Sequence, residues 1–201
     1  MGKLIVVVGS TGVGKTALTH ALCREAGFTP GLEGHADRPF QARFKTDHRF
    51  ALANQVDYLL LRLEQETAIR SGAQTGVLDG GLEMDFHGFT RLFHARGWLT
   101  DDELDLCRRF YTLARNLLPP PDLVLHLTAR SGVIARRLAQ RDRINIASAG
   151  DISLLDAFLA EWLSTVNAGC ILSLDVSEDD PEYRRILPGL VENIQERLEK
   201  E

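Results

Sequence analysis

The chain has 201 residues, 44% of them hydrophobic and 25% charged, which suits one α/β domain with a substantial core and leaves no room for a second. Its net charge of -5 and sequence pI of about 5.7 exclude a protein that grips nucleic acid through a basic face, because backbone phosphates call for gathered Lys and Arg. No stretch reaches the roughly 20 apolar residues of a membrane helix, so the expected partners are small molecules, with no nucleic acid and no membrane, and the expected location is the cytoplasm.

The opening residues Met1–Gly9 are apolar but short, without a small-residue cleavage site, and are read as a strand and not as a signal peptide. Within them Lys3–Val8 is a β-branched run without alternation, the pattern of a central parallel strand buried on both faces. Thr16–Ala26 reads as a helix. From Gly27 to Lys45 the composition is rich in Gly, Pro, His and charge, which predicts an irregular loop of the kind that carries binding residues. Asp47–Arg70 places Phe50, Ala53, Val56, Leu59, Leu60 and Leu63 at helical spacing and predicts a long amphipathic helix.

Gly76–Asp79 is a short strand that ends at a carboxylate, followed by the Gly80-Gly81 turn and the stretch Leu82–Gly97. The cluster Thr100, Asp101, Asp102, Glu103 suits an N-cap and the positive end of a helix dipole, so a helix is predicted over Asp101–Leu118, stopped by Pro119–Pro121. A strand at Asp122–Thr128, helices at Ser131–Gln140 and Ile152–Asn167, a strand at Cys170–Val176 and a helix at Glu182–Glu199 complete the order. Strands alternating with helices imply a single α/β domain with a parallel sheet of about five strands and helices on both faces.

Gly9-Ser10-Thr11-Gly12-Val13-Gly14-Lys15-Thr16 satisfies G-x-x-x-x-G-K-[ST] between a predicted strand and a predicted helix, which is the context that makes the motif specific for a P-loop NTPase fold. Its backbone N–H groups and the helix N-terminus face phosphates, Lys15 neutralises the outer ones, and the Thr16 hydroxyl can ligate Mg²⁺, so ATP or another nucleoside triphosphate is expected with Mg²⁺. Asp79, at the carboxyl end of a strand, is the candidate second metal contact; the plainer reading is an Asp that opens the turn before Gly80. The guanine-reading N-K-x-D tetrapeptide is absent, and Asp85-Phe-His-Gly88 matches D-x-x-G without abutting a strand, which argues against a GTPase.

The remaining motifs resemble the deoxynucleoside kinase family, particularly its short bacterial members that act on purine deoxynucleosides, over nearly the whole chain. Glu33-Gly-His-Ala-Asp-Arg-Pro39-Phe40 is similar to that family's E-P-V-x-x-N-P-[FY] segment, which implies Glu33 as general base toward the 5′-hydroxyl. Gln55 and Arg62, seven residues apart and therefore on one helix face, resemble the family's base-reading pair. Without the resemblance both would be ordinary solvated helix residues. Val77-Leu-Asp79-Gly-Gly-Leu-Glu-Met-Asp85 is similar to the [DE]-R-S-x-x-x-D motif, which implies Asp79 on the metal side and Asp85 near the base beside Arg62. Arg137-x-x-x-Arg141-Asp-Arg143 resembles the family's phosphate lid, spanning about 137–150, with Arg137 and Arg141 catalytic and Arg143 nucleotide-binding.

Departures fall close to the chemistry. Gly80 stands where the family motif has an Arg, and Phe44, eleven before Gln55, stands where relatives have a Tyr for the sugar 3′-hydroxyl. Three readings follow: a kinase with a shifted acceptor, with Arg91 or His87 supplying the missing cation; a different P-loop kinase such as one for nucleoside monophosphates; and a nucleotide-binding protein with little turnover. The coexistence of Lys15, Thr16, Asp79, Glu33 and the arginines favours the first. Cys23, Cys107 and Cys170 lack metal or redox spacing and are read as free thiols, and the histidines form no zinc pattern. Trp98 and Trp162 are read as core or interface residues. Leu106, Phe110, Leu113 and Leu117 share one helix face that can serve core or dimer packing, and the resemblance implies a homodimer.

Overall fold

The computed structural model describes residues 1–31, 38–139, 149–178, 180 and 182–199. Strand β1 (Leu4–Val8) leads into helix α1 (Lys15–Ala26), and the short strand β2 (Thr29–Gly31) follows. Helix α2 (Pro39–Phe44), a 3₁₀ turn at His48–Phe50 and the long helix α3 (Ala51–Ser71) come next. Strand β3 (Gly76–Asp79) then passes into α4 (Gly81–Glu83), a π-helical segment (Met84–Thr90) and α5 (Arg91–Ala95). The rest is α6 (Asp101–Leu117), β4 (Leu123–Thr128), α7 (Ser131–Ala139), α8 (Ile152–Leu163), β5 (Ile171–Asp175) and α9 (Leu187–Glu199).

The sheet is parallel throughout, in the order β2-β3-β1-β4-β5. All five residues of β1 are fully buried, and alternate side chains serve opposite faces. Ile5 and Val7 pack with Leu18 and Leu22 of α1 and Leu190 and Ile194 of α9, whereas Leu4, Val6 and Val8 pack with Ile69 of α3 and Leu159 and Trp162 of α8. Each such aliphatic side chain stabilises the fold by about 1.5–3 kcal/mol through burial. Neighbouring strands leave β1 on its two sides, so the crevice beyond its carboxyl end is where a ligand binds in an open sheet of this kind.

The stretch 27–45 is more ordered than its composition predicts. Pro30 is compatible with β2 because that strand lies at the sheet edge, where a missing N–H is tolerated. Pro39 occupies the first turn of α2, the helical position where proline fits. The last helix starts at Leu187 and not Glu182, and α8 stops at Leu163 before Asn167. Helix α6 opens as expected: Thr100 Oγ1 accepts from the Glu103 N–H at 3.3 Å, and the Glu103 carboxylate accepts from the Thr100 N–H at 2.8 Å.

Helix α3 buries part of its expected apolar stripe, with Leu59 in the core and Leu63 packed beside it, but Leu60 is 43% exposed and the buried side also carries Asn54, Gln55, Tyr58, Arg62, Glu66 and Arg70. The foot of the helix is tied down by charge: Arg70 pairs with Asp122 and donates to Pro120 O at 2.6 Å, and Asp122 in turn accepts from the Leu4 N–H at 2.7 Å. Glu66 pairs with Arg115 of α6, and Glu83 lies 3.6 Å from the same guanidinium.

Candidate active site

The loop between β1 and α1 closes on itself around backbone that only glycine adopts with ease. Gly9 has φ of 142° and Gly14 φ of 119°, and a Cβ on Gly14 would lie 2.2 Å from the Tyr183 hydroxyl oxygen. Val13 plugs the underside of the loop into the core. Two partners hold the loop from behind: Tyr183 donates to Gly14 O at 3.2 Å, and Arg137 donates to Val13 O at 2.7 Å and to Val176 O at 2.9 Å. Arg137 thus bridges α7, the P-loop and the end of β5. Lys15 Nζ donates to Gly9 O at 2.9 Å and Ser10 O at 3.1 Å, which lays the ammonium across the loop. The Ser10 hydroxyl donates to Asp156 of α8.

The Thr16 hydroxyl donates to the carboxylate of Asp79, which β3 delivers beside the loop through the pairing of Val7 with Asp79. Two hard oxygen groups facing each other next to a phosphate loop fit Mg²⁺, which binds one or two protein oxygens and takes the rest from phosphate and water. Among the described residues no three His, Cys, Asp or Glu side chains gather into a protein cage for a cation. Behind Arg137, a wide depression of about 730 Å³ is lined by Arg130, Arg136, Ser177, Glu178 and Arg185 among others.

Past Asp79 the chain turns through Gly80 and Gly81 into the π-helical segment, a rare geometry that leaves carbonyls seeking other donors and recurs at functional sites. Asp85 O accepts from Gln55 Nε2 and from the Thr90 hydroxyl, both at 2.9 Å. The Asp85 carboxylate accepts from Arg62 Nε at 2.7 Å. Burial pushes the Asp85 carboxyl above its ordinary range, against the pull of Arg62, and the group also feels the charges of Asp79 and Lys15. Gln55 and Arg62 are each 1% exposed, so they are not solvated helix positions.

These groups border a small recess of about 70 Å³, whose walls are Gln41, Asn54, Gln55, Tyr58, Asp85, Phe89 and Phe93. Phe44 is buried and stacked at 4.7 Å on Phe93, within an aromatic cluster that also takes in partly buried Trp98 and exposed His48. Gln41, Asn54, Tyr58, Phe89 and Phe93 line this recess without having been singled out in the sequence. Their signal was the polar and aromatic character of positions that helical packing would otherwise fill with Leu or Val. Asn54 Oδ1 is buried without a hydrogen-bond partner, a cost of about 1–3 kcal/mol.

The two candidates for an extra cation are engaged elsewhere. Arg91 pairs with Glu161 at 2.7 Å and lies over Phe158. Burial, and then Arg91, lowers His87 to about 4, so its ring is neutral at pH 7, stacked on Trp162. The side of Gly80 is instead faced by Arg62, whose terminal nitrogen would lie 3.5 Å from a Cβ placed there. Glu33, Arg141 and Arg143 lie outside the described residues. Cys23, Cys107 and Cys170 are free thiols, and Trp162 belongs to the core beneath β1.

Comparison with known proteins agrees with this geometry. The chain is 24% identical over 183 residues to a deoxyadenosine/deoxycytidine kinase of Bacillus subtilis, covering 89% of this chain and 84% of that one. It is 28% identical over 144 residues to a deoxyadenosine kinase of Dictyostelium discoideum, covering 71% of this chain and 58% of the relative. A deoxyadenosine kinase from M. mycoides, solved with bound dATP, superposes with a TM-score of 0.75 at 18% identity, covering 97% of this chain and 98% of that one. The sequence profile of the deoxynucleoside kinase family matches residues 5–196, which takes in the phosphate loop, the recess and the whole sheet. The chain therefore belongs to the deoxynucleoside kinase family and is a phosphotransferase that uses ATP to phosphorylate a nucleoside.

Proposed function

We propose that the acceptor is a deoxynucleoside whose base carries an exocyclic amino group, and that its 5′-hydroxyl is phosphorylated with ATP and Mg²⁺. The observation that carries this is the polarity of the recess. Because Gln55 Nε2 donates to Asp85 O, the Gln55 amide is oriented with its carbonyl oxygen free to accept. The Asp85 carboxyl, held by Arg62 Nε at 2.7 Å, is a second acceptor. Two acceptors between Phe89 and Phe93 favour a flat base that brings N–H donors. The named activities of the relatives, on deoxyadenosine and deoxycytidine, agree with that preference.

In the proposed reaction the 5′-oxygen attacks the γ-phosphorus. The new O–P bond forms as the bond from that phosphorus to the β,γ-bridging oxygen breaks, ADP leaves, and the hydroxyl proton passes to the Glu33 carboxylate. Lys15 and the loop N–H groups hold the β- and γ-phosphates, with Arg137 fixing the loop from behind and Arg141 and Arg143 closing over it. Thr16 and Asp79 would hold Mg²⁺, which would supply charge neutralisation for the phosphates. Arg62 orients Asp85. We further propose a cytoplasmic homodimer. Its support is the apolar stripe on the α3–α6 face, where Leu60, Leu106, Leu113 and Leu117 are all exposed.

The test is ADP release with ATP, Mg²⁺ and a panel of deoxynucleosides, ribonucleosides and nucleoside monophosphates, with Lys15→Ala as the blank. Turnover confined to amino-bearing deoxynucleosides is the expected result. Turnover confined to monophosphates, or to thymidine, overturns the assignment. Glu33→Gln is expected to abolish transfer while leaving ATP binding nearly unchanged; full turnover in that variant removes Glu33 as the base.

A further inference from the structure

Two carboxamides, Asn54 and Gln55, stand side by side on α3 and line the same recess. Gln55 is fixed by the Asp85 carbonyl. Asn54 is 2% exposed, yet its Oδ1 has no hydrogen-bond partner. A buried polar atom left unpaired in the wall of a recess calls for a reason, and a partner that arrives with a ligand supplies one.

Adjacent helix positions are turned about 100° from each other, so the two amides approach a flat ring from different directions. Phe89 and Phe93 supply the aromatic walls that hold such a ring. A carboxamide presents a donor beside an acceptor, and the amide of Asn or Gln matches the N6/N7 edge of adenine with two parallel hydrogen bonds. A 4-aminopyrimidine has one edge of this kind, formed by its ring nitrogen and amino group. A 6-aminopurine has two, because its amino group is flanked by a six-ring nitrogen on one side and N7 on the other.

We propose that Asn54 reads the N7 side of a 6-aminopurine and thereby selects purine over pyrimidine nucleosides. The inference rests on the reading of the recess as the nucleoside site. Asp85 and Gln55, as acceptors, recognise the amino group, which a pyrimidine also offers; Asn54 adds a contact to N7, which a pyrimidine lacks. Asn54 is a specificity-determining residue in this account and takes no part in the transfer itself.

The experiment measures kcat/KM of the full chain for deoxyadenosine, 7-deazadeoxyadenosine and deoxycytidine, in the unmodified protein and in Asn54→Leu. The 7-deaza analogue replaces N7 by C–H and keeps the shape of the base. The unmodified protein is expected to prefer deoxyadenosine over the analogue by about tenfold or more, the range for one bidentate base contact. Asn54→Leu is expected to bring deoxyadenosine down at least to the level of the analogue and to lower deoxycytidine by a clearly smaller factor. Equal use of deoxyadenosine and its 7-deaza analogue by the unmodified protein overturns the proposal without reference to any variant. A uniform fall for all three substrates in Asn54→Leu also overturns it, since that is the mark of a structural role. Turnover with none of the three in the unmodified protein overturns the reading of the recess itself, a result distinguishable from both.

Discussion

Removing the charge of Arg62 by Arg62→Met strands the carboxylate of Asp85 in a site where it is 4% exposed. Two unit charges about 4 Å apart attract by about 4 kcal/mol at an effective dielectric near 20, and breaking one partner of a buried pair costs about 3–5 kcal/mol. Asp85 has one escape, which is to bind a proton. Its folded-state pKa, already raised by burial, climbs further without Arg62, while its unfolded value stays near the ordinary carboxylate range of about 4. The folded variant then holds a proton that the unfolded chain releases, so its stability falls as pH rises above about 4 and the loss is complete once pH exceeds the new folded value. Urea denaturation at pH 5 and pH 8 is the assay, with Asp85→Asn and the double variant closing a thermodynamic cycle. The expected outcome is a deficit of about 3–5 kcal/mol for Arg62→Met at pH 8, a smaller one at pH 5, and a coupling above about 1.5 kcal/mol in the cycle. A deficit below about 1 kcal/mol at both pH values, additive with Asp85→Asn, would refute the argument, because the pair would then behave as a surface contact.

Burial raises Glu83 to about 7, with Arg115 opposing, so the folded chain binds a proton between about pH 4.5 and 7 that the unfolded chain does not; the stability lost across that window amounts to about 3 kcal/mol above pH 7. Glu83→Gln should therefore raise the urea midpoint at pH 8 and leave it nearly unchanged at pH 5, and an equal change at both pH values counts against the buried-acid account. Lys15→Ala should weaken ATP binding by about 100-fold or more in calorimetry, since the ammonium that spans the loop has no substitute there. Leu113→Glu together with Leu117→Glu should convert the proposed dimer to a monomer in light scattering without lowering Tm by more than a few degrees, because both side chains are more than half exposed. A dimer that survives the double change has its interface elsewhere.

The parallel sheet and the phosphate loop were legible because their signals are local. A buried central strand is a run of β-branched residues, and the loop motif is contiguous. Helix α3 was legible as a helix and in part as a packing element, since Leu59 of the expected stripe lies in the core, but helical periodicity reports only apolar spacing. The inner face also holds Asn54, Gln55, Arg62, Glu66 and Arg70, and each charged group has a partner far along the chain: Asp85, Arg115 or Asp122. No window of sequence contains such a partnership. Gln55, Arg62 and Asp85 were reached through the spacing of a familiar motif. Asn54 and Tyr58, which belong to no motif, became visible only when the recess was in view. The short strand β2 and helix α2 escaped for another reason, being too brief for any periodicity to register.

Along α3 the labour is divided by position. Asn54, Gln55, Tyr58 and Arg62 serve the recess from its N-terminal half, while Glu66, Ile69 and Arg70 fasten its C-terminal half to α6, the sheet and the start of β4. The helix is moored at one end and instrumented at the other. For a protein lineage this arrangement separates two kinds of mutational risk: on the proposed assignment of the recess, exchanges at 54, 55 and 58 would alter which nucleoside is welcomed while the mooring keeps the chain folded, so substrate range could drift by single steps through viable intermediates.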